Sequence, residues 1–350
     1  MRYSRVQLDG LAYELAPVVV STAELEERLT PLYRRLRLQP GHLEALTGIQ
    51  ERRWWEEGYP LSAGARAAAQ KALQQAGIPA GELGAVIYAG VCREQFEPAT
   101  ACRVAAELNV GPETAIYDIS NACLGVLNGI VEVANRIELG QIRAGLVVSC
   151  ESAREINELT IDRLNAEPSH ELFRTSLATL TGGSGAVAVL LTDGSFSAGS
   201  RRRLVGGVAQ AAPEFHALCR WGLETFESLM PRGLRQFMVT DSVAVLRHGV
   251  SLGLRTWAAF LKRLGWMREQ IDKVICHQVG AGHREAILET LGLRSDQDFS
   301  SFAYLGNMGT VSLPLTAALA EEAGFVRAGD RVGFLGIGSG LSCLMLGLEW

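Results

Sequence analysis

Four short stretches hold residue types that could do covalent chemistry. The first lies in DISNACLGVLNGIVEVANRI, 118–137, where Asp118–Ile119 ends an apolar approach and Ser120 or Asn121 can cap a helix. Cys123 then falls in the first turn of a long, nearly uncharged helical run over 123–139. Free backbone N–H groups and the positive end of a helix favour a thiolate there, and they leave the Cys123 N–H open to a substrate oxygen. Taken by itself, Cys123 reads equally well as a small buried residue at a tight strand–helix junction. The second stretch, VICHQVGAGH at 274–283, puts His277 at the end of a buried strand and the start of a loop, where catalytic groups are often mounted. The histidines at 42, 170, 216, 248 and 283 have no comparable setting. The third, YLGNMGTVSLPLTAAL at 304–319, sets Asn307 within Gly306-Asn307-Met308-Gly309 ahead of a helix. The fourth is GFLGIGSGLSC, 333–343. Its glycines at 336, 338 and 340 are not a dinucleotide fingerprint, because Cys343 takes the next position and no long helix follows. It reads as strand, turn and strand, and such a turn can aim a backbone N–H into a site.

Cys123, His277 and Asn307 stand in the chain order of a papain-like protease. No Cys-Gly-x-Cys-Trp signature surrounds Cys123, however, and an internal repeat of the chain contradicts that fold. Residues 72–91, ALQQAGIPAGELGAVIYAGV, align without a gap on 260–279, FLKRLGWMREQIDKVICHQV, matching Leu73 with Leu261 and Gly77 with Gly265. NACLGVL from Asn121 then stands opposite NMGTVSL from Asn307, AGLVVSC (144–150) opposite RVGFLGI (331–337), and GAVAVLL (185–191) opposite LSCLMLG (341–347). The repeat is too long for a solenoid and predicts two similar α/β halves packed as one body, 1–195 and 196–350. The strands 85–91, 144–150, 273–276 and 331–337 are continuous apolar runs, as when helices cover both faces of a sheet. Helices are predicted over 22–37, 63–77, 98–109, 123–139, 241–264 and 281–291. The halves join where Gly, Pro, Ser and Arg thicken, between 192 and 235.

Composition bounds the rest. The chain of 350 residues is 48% hydrophobic and 20% charged, with net charge −5, which is the make-up of a large, well-packed protein. No Lys/Arg block resembles a nucleic-acid footprint, and Arg-Arg-Arg at 201–203 reads as a solvated face or loop. The first residues lack a basic segment followed by an apolar core, and no apolar run reaches the length of a membrane span, so the expected location is cytoplasmic. Seven scattered cysteines without a Cys-x-x-Cys pair make neither a disulfide framework nor a zinc site.

Together, the Asn-Ala-Cys, Cys-His-Gln, Gly-Asn-Met-Gly and Gly-Ile-Gly-Ser-Gly-Leu-Ser motifs resemble the thiolase superfamily, and within it the β-ketoacyl synthase III branch, over essentially the whole chain. The resemblance implies a five-layered α-β-α-β-α fold of two duplicated halves and a homodimer. It implies that Cys123 accepts the acyl group and that His277 and Asn307 hold the thioester oxygen of the second substrate. The Cys123 and Ser339 N–H groups would form the oxyanion hole. One feature narrows the branch. In REQFEPATACRVAAEL, 93–108, Phe96 is followed by Glu97-Pro98, and Leu-Gly-Val follows Cys123 where an aromatic is common. With ISNACLG, LCRWGLE and GIGSGLSC, this resembles the condensing enzymes of bacterial long-chain olefin synthesis, the OleA type. There the glutamate enters the partner subunit's active site as a base, which here would be Glu97. Without the resemblance, Glu97 reads as a solvated loop carboxylate.

The base separates two chemistries. A malonyl donor makes its carbanion by losing carbon dioxide, whereas a plain acyl-CoA must lose an α-proton to a carboxylate, whose pKa an apolar site would raise. The resemblance therefore implies non-decarboxylative, head-to-head Claisen condensation of two long-chain acyl-CoAs to a 2-alkyl-3-oxoacyl product, released as the acid. It implies no permanently bound cofactor and coenzyme A thioesters as substrates, with olefin-pathway enzymes downstream. The alternative is a decarboxylative synthase III using acyl-CoA and a malonyl donor. An inactive partner subunit of the superfamily would lack the nucleophile or the histidine, and both are present. Loops near 170–180 and 220–240 are candidates to line acyl channels. Arg52, Arg53, Trp54 and Trp55 could meet nucleotide or pack at a surface or interface.

Overall fold

The computed structural model describes residues 1–196, 202–226 and 233–350. The apolar runs form strands Ala85–Ala89, Ala144–Glu151, Lys273–Cys276 and Arg331–Gly338. They lie in a nine-stranded sheet whose order is Ala115–Ile119, Ala85–Ala89, Ala144–Glu151, Gly185–Thr192, Gln7–Leu15, Arg203–Ala211, Ser342–Glu349, Arg331–Gly338 and Lys273–Cys276. The two sets of strands meet at the Gln7–Arg203 pair. From its outer edge inward, the first set pairs parallel, parallel, antiparallel, antiparallel. In the second set a parallel bridge between Val274 and Asp298 replaces the outermost pair, and the same senses follow. The sequence repeat is thus a repeat of topology. Gly77 and Gly265 end equivalent helices in the left-handed region, at φ 66° and 71°, where a residue without Cβ is least strained. The last repeat pair is closer in sequence than the others. Between Glu151 and Gly185 the first half inserts helices Arg154–Ala166 and His170–Leu180, where the second half makes only the turn from Gly338 to Ser342.

Helices cover both faces of each set, which is why these strands do not alternate with polar residues. Val147, Val187 and Val189 face a central layer with Leu127, Ile130 and Val133. Their neighbours Leu146, Val148 and Leu190 face the outer helix Leu61–Ala76 through Ala65, Ala68 and Ala72. On the other side Phe334, Leu344 and Leu346 join the central layer, while Leu335 and Met345 pack on Trp257 and Phe260 of the outer helix Ser242–Leu264. Helix, sheet, helix, sheet and helix make five layers, the thiolase fold that the motifs predict. No described helix is long and apolar enough to cross a membrane.

Several expectations change. The helix predicted over 22–37 is two, Thr22–Arg28 and Thr30–Leu36, with Leu29 between them and Pro31 opening the second. Residues 170–180 are a helix and not a loop, and 220–240 belong to the hairpin of Cys219–Phe226 with Gly233–Thr240, of which 227–232 lie outside the described residues. Arg52, Trp54 and Trp55 are buried within the chain and not at its surface: the Arg52 guanidinium donates to Thr22 Oγ1 at 2.9 Å and to the Leu180 carbonyl at 3.3 Å. Arg201 lies outside the described residues. Arg202 is not solvated but pairs with Glu321 at 2.8 Å over the Trp350 ring, and Arg203 pairs with Glu349 at 2.6 Å.

Asp118 closes the strand Ala115–Ile119 and accepts the N–H groups of Thr100 and Ala101, both at 2.9 Å, at the open end of helix Thr100–Leu108. It caps that helix from a distant strand. Asp118→Ala leaves both donors without it and should lower stability by about 0.5–2 kcal/mol, read as a lower urea midpoint with an unchanged slope.

Candidate active site

The nucleophile candidate sits on a forced turn. Ala122 takes φ 44°, a left-handed value that costs a residue with a side chain, and Cys123 forms a bridge with Asn121. The helix begins two residues after Cys123, at Gly125, and runs to Glu138, so Cys123 lies just outside its first turn. Neither Ser120 nor Asn121 caps it; Asn121 instead donates through Nδ2 to Asn128 Oδ1 at 2.8 Å. The helix's Val126 N–H donates to Thr310 Oγ1 at 2.7 Å, across the centre of the molecule.

Each of the other motifs enters from the second half. His277 extends the edge strand, its N–H donating to Leu335 O at 3.0 Å. Asn307 is pinned by its backbone: its N–H donates to Thr181 O and its carbonyl accepts from Gly183, both at 2.9 Å. Its Oδ1 accepts the Gly309 N–H at 3.0 Å, and the residue lines the cavity. Gln278, beside His277, is buried, and its Oε1 accepts from the N–H groups of Ser301 and Phe302, at 2.8 and 3.2 Å, where the short helix Phe302–Leu305 begins. The terminal hairpin brings Gly338 against the nucleophile, where a β-carbon would stand 3.4 Å from Cys123 N.

Cys123, His277, Asn307 and Ser339 all line one cavity of about 730 Å³, in the upper part of the usual range for ligand pockets. The hairpin strand Cys219–Phe226 and the helices His170–Leu180 and Ser242–Leu264 complete its walls, mostly with apolar side chains. Glu97 does not join the cluster in this chain. It is exposed at the tip of the loop after Ala89, beside Phe96, which is 89% exposed.

The electrostatics differ from the expectation of a helix-stabilised thiolate. Burial pushes the Cys123 thiol up to about 12, and negative charge on Cys219 and Glu151 adds to the rise. The N–H groups of Cys123 and Ser339 pull the other way, but less strongly. Burial outweighs the local dipole because the sulfur sits below the helix start in an apolar wall. His277 is pushed down to about 4, first by burial and then by the nearby His283. Its Nδ1 has no partner among the described residues. At neutral pH the pair is therefore a thiol beside a neutral imidazole. Two backbone N–H groups at the sulfur, with an amide side chain and a neutral imidazole lining the same cavity, are donors of the kind that can hold the oxygen of a thioester and the charge it gains under attack.

Sequence reasoning missed three cavity residues. His283 has no distinctive setting in the sequence, but it lines the cavity six residues after His277. Cys219 lies within LCRWGLE and faces the same space. Glu151 is a carboxylate closing a wholly buried strand, and a charge in that place was the signal available.

Comparison with known proteins agrees with the motifs. Residues 261–350 match the family model for the C-terminal part of 3-oxoacyl-[acyl-carrier-protein] synthase III. The chain is 58% identical over its full length and the full length of an acyl-CoA:acyl-CoA alkyltransferase of Shewanella oneidensis. It is 35% identical to the enzyme of that name from Xanthomonas campestris, again over all of both chains. A crystal structure of Xanthomonas campestris OleA with bound lauric acid and lauroyl-CoA superposes with a TM-score of 0.91 at 34% identity, covering 99% of this chain and 100% of that one.

A thiol with a pKa near 12 is almost wholly protonated at pH 7, with roughly one sulfur in 10⁵ ionised. Alkylation of Cys123 by iodoacetamide should thus climb about tenfold per pH unit from pH 7 to 10. Peptide mass spectrometry follows the modification, and a plateau below pH 9 would show that the thiol is far more acidic.

Proposed function

The chain belongs to the acyl-CoA:acyl-CoA alkyltransferase (OleA) family of synthase III-like acyltransferases, and on that premise we propose that it joins two long-chain acyl-CoAs by non-decarboxylative Claisen condensation. The observation that carries this reading is the loop bearing Glu97. It is fastened at both ends, by Tyr88, whose hydroxyl lies 2.8 Å from Cys92 O, and by the Asp118 cap on helix Thr100–Leu108. Midway, Glu94 accepts from Ser62 Oγ at 2.6 Å and N at 2.8 Å. Phe96, Glu97 and Pro98 at the tip are exposed and do not line the chain's own cavity. A fixed loop with a free apolar and acidic tip suits delivery of a base to a second subunit, and we read the working unit as a homodimer.

In the first step the Cys123 sulfur attacks the carbonyl of one acyl-CoA. The oxygen takes up charge between the Cys123 and Ser339 N–H groups, coenzyme A leaves as the thiol, and the proton of Cys123 ends on its sulfur. His277, neutral at working pH, is the group best placed to pass that proton. In the second step the thioester oxygen of another acyl-CoA accepts from His277 and Asn307. Glu97 of the partner subunit takes its α-proton, and the enolate carbon attacks the Cys123 thioester. The new C–C bond forms as the C–S bond breaks, and Cys123 regains a proton. Water then cleaves the CoA thioester of the product to give the 2-alkyl-3-oxo acid. The coenzyme A thioesters are substrates, and no group needs to stay bound between turnovers. Cytoplasmic acyl-CoA pools and olefin-forming enzymes downstream fit this place in metabolism. A malonyl donor would make the Glu97 carboxylate superfluous, so the decarboxylative synthase is the weaker reading.

Chain length is limited by the cavity arm between helix Ser242–Leu264 and the sheet. Gly249 and Gly253 line it one turn apart, and a β-carbon there would meet Ile337 Cδ1 or Ile287 Cδ1 at 2.9 Å. Gly249→Leu should shift turnover from palmitoyl-CoA toward decanoyl-CoA; an unchanged ratio of the two would place the acyl chain elsewhere.

The deciding assay supplies one fatty acyl-CoA and no malonyl donor, and follows CoA release and product mass. A coupled 3-oxo acid is expected, and its absence would sink the proposal. Glu97→Gln should still acylate Cys123, seen by intact mass, while condensation falls by about 10²–10⁴-fold.

A further inference from the structure

Among the described residues, the carboxylate of Glu151 is the one buried acid that lines the Cys123 cavity and that the condensation steps leave unused. It closes the buried strand Ala144–Glu151 and is only 4% exposed. Oε1 accepts the Val91 N–H at 2.9 Å and Oε2 the Cys92 N–H at 3.0 Å. These are the first residues of the loop whose tip carries Glu97, and Val91 itself lines the cavity. On its other side Glu151 touches the turn that holds Asn307, since a β-carbon on Gly309 would lie 3.7 Å from its carboxyl group. Its backbone is held as well, the carbonyl accepting from Trp55 Nε1 at 3.1 Å. We propose that Glu151 is a positioning residue that pins the base of the Glu97 loop to the wall of the Cys123 cavity, so that the tip is presented outward to a second subunit. The inference rests on Glu97 being the base of the condensation.

Chemistry favours a carboxylate for this task. Two adjacent N–H groups diverging from one turn need two acceptors in one plane, which a carboxylate offers and an amide does not. Burial alone pushes its pKa up, while the Cys92 thiol and the two N–H groups oppose that rise. The Tyr88 hydroxyl lies 2.8 Å from Cys92 O and 2.7 Å from Cys150 O and shares its one hydrogen between them, so the loop base keeps a tie that does not involve Glu151. What Glu151 adds is direction. It fixes the peptide planes from which the chain leaves for Phe96 and Glu97, and it does so from the cavity side. It also places a negative charge near the Cys123 sulfur.

Glu151→Gln keeps the size of the side chain but presents its amide N–H₂ to one of the two donors, so one bond is lost. The ratio of condensation to Cys123 acylation should fall by on the order of 10²-fold, as expected when a reacting group is misplaced by about 1 Å. Amide exchange over 91–96 should quicken. Iodoacetamide labelling of Cys123 should begin its rise at a lower pH, whereas loss of packing alone would raise labelling by a similar factor at every pH. Wild-type values for the ratio and for exchange would overturn the proposal. Should the variant fail to fold, amide exchange in the wild-type protein decides: Val91 and Cys92 must exchange far more slowly than Gln95 and Phe96, and equal rates would overturn the pin. If Glu97→Gln condenses normally, it is the base assignment that fails, and the pin is then judged on exchange alone.

Discussion

The hydrogen bond from the Val126 N–H to Thr310 Oγ1 ties the molecule together at its centre. The two residues are 184 positions apart, and Thr310 is fully enclosed. A helix beginning deep inside a protein exposes N–H groups that no water can reach, and each needs a partner. Here the start of the first half's central helix takes its partner from the second half. Gly125 allows the approach, with room for a β-carbon only 3.3 Å from both Ala89 O and Thr310 Oγ1. The turn that carries Thr310 also carries Asn307, and the turn before Gly125 carries Cys123. This one contact therefore links the turn of Cys123 to the turn of Asn307. Met308 N–H, bonded to Ser312 Oγ at 2.8 Å, keeps the second turn equally rigid.

That rigidity explains how the site can tolerate an unfavourable electrostatic setting. An apolar cavity strips water from the thiol and the imidazole, and burial holds both toward their neutral forms. No thiolate–imidazolium pair is stored in the resting state. The N–H groups of Cys123 and Ser339 and the side chain of Asn307 are fixed dipoles instead, already oriented before any charge develops. Such dipoles stabilise an oxyanion most where the dielectric is low, so on the proposed reading the same burial that suppresses the free thiolate strengthens the hole that receives the transferred charge.

Much of this was legible in the sequence because duplication leaves local marks. The Gly stops at 77 and 265, the continuous apolar strands and the paired Asn121 and Asn307 all follow from short-range chemistry, and the fold preserves each. Cys123, His277, Asn307 and Ser339 carry motifs dense enough to be recognised, and they meet in one cavity. What stayed hidden depends on contacts between distant segments. Arg52 reads as a surface cation until Thr22 and the Leu180 carbonyl are seen around it. His283 and Cys219 lie on separate elements that reach the cavity only through tertiary packing. The acidity of Cys123 was misjudged for the same reason: the helix dipole is local and visible in sequence, whereas desolvation belongs to the whole cavity wall.

The placement of the two carboxylates follows from the same balance. A free carboxylate about 4 Å from a sulfur disfavours its thiolate by about 4 kcal/mol at an effective dielectric of 20. A condensing enzyme that takes an α-proton needs a carboxylate at the second step, yet its charge hinders the first. Glu151 is kept in the cavity wall with both oxygens already bonded to N–H groups, which disperses its charge into the loop it holds. Glu97, on the proposed reading, is kept off the chain's own cavity and supplied at the tip of a fastened loop. A base carried by one subunit and a nucleophile carried by the other can be optimised separately, each within its own chain. The geometry that unites them is then fixed by the subunit interface and by the short span from Val91 to Glu97.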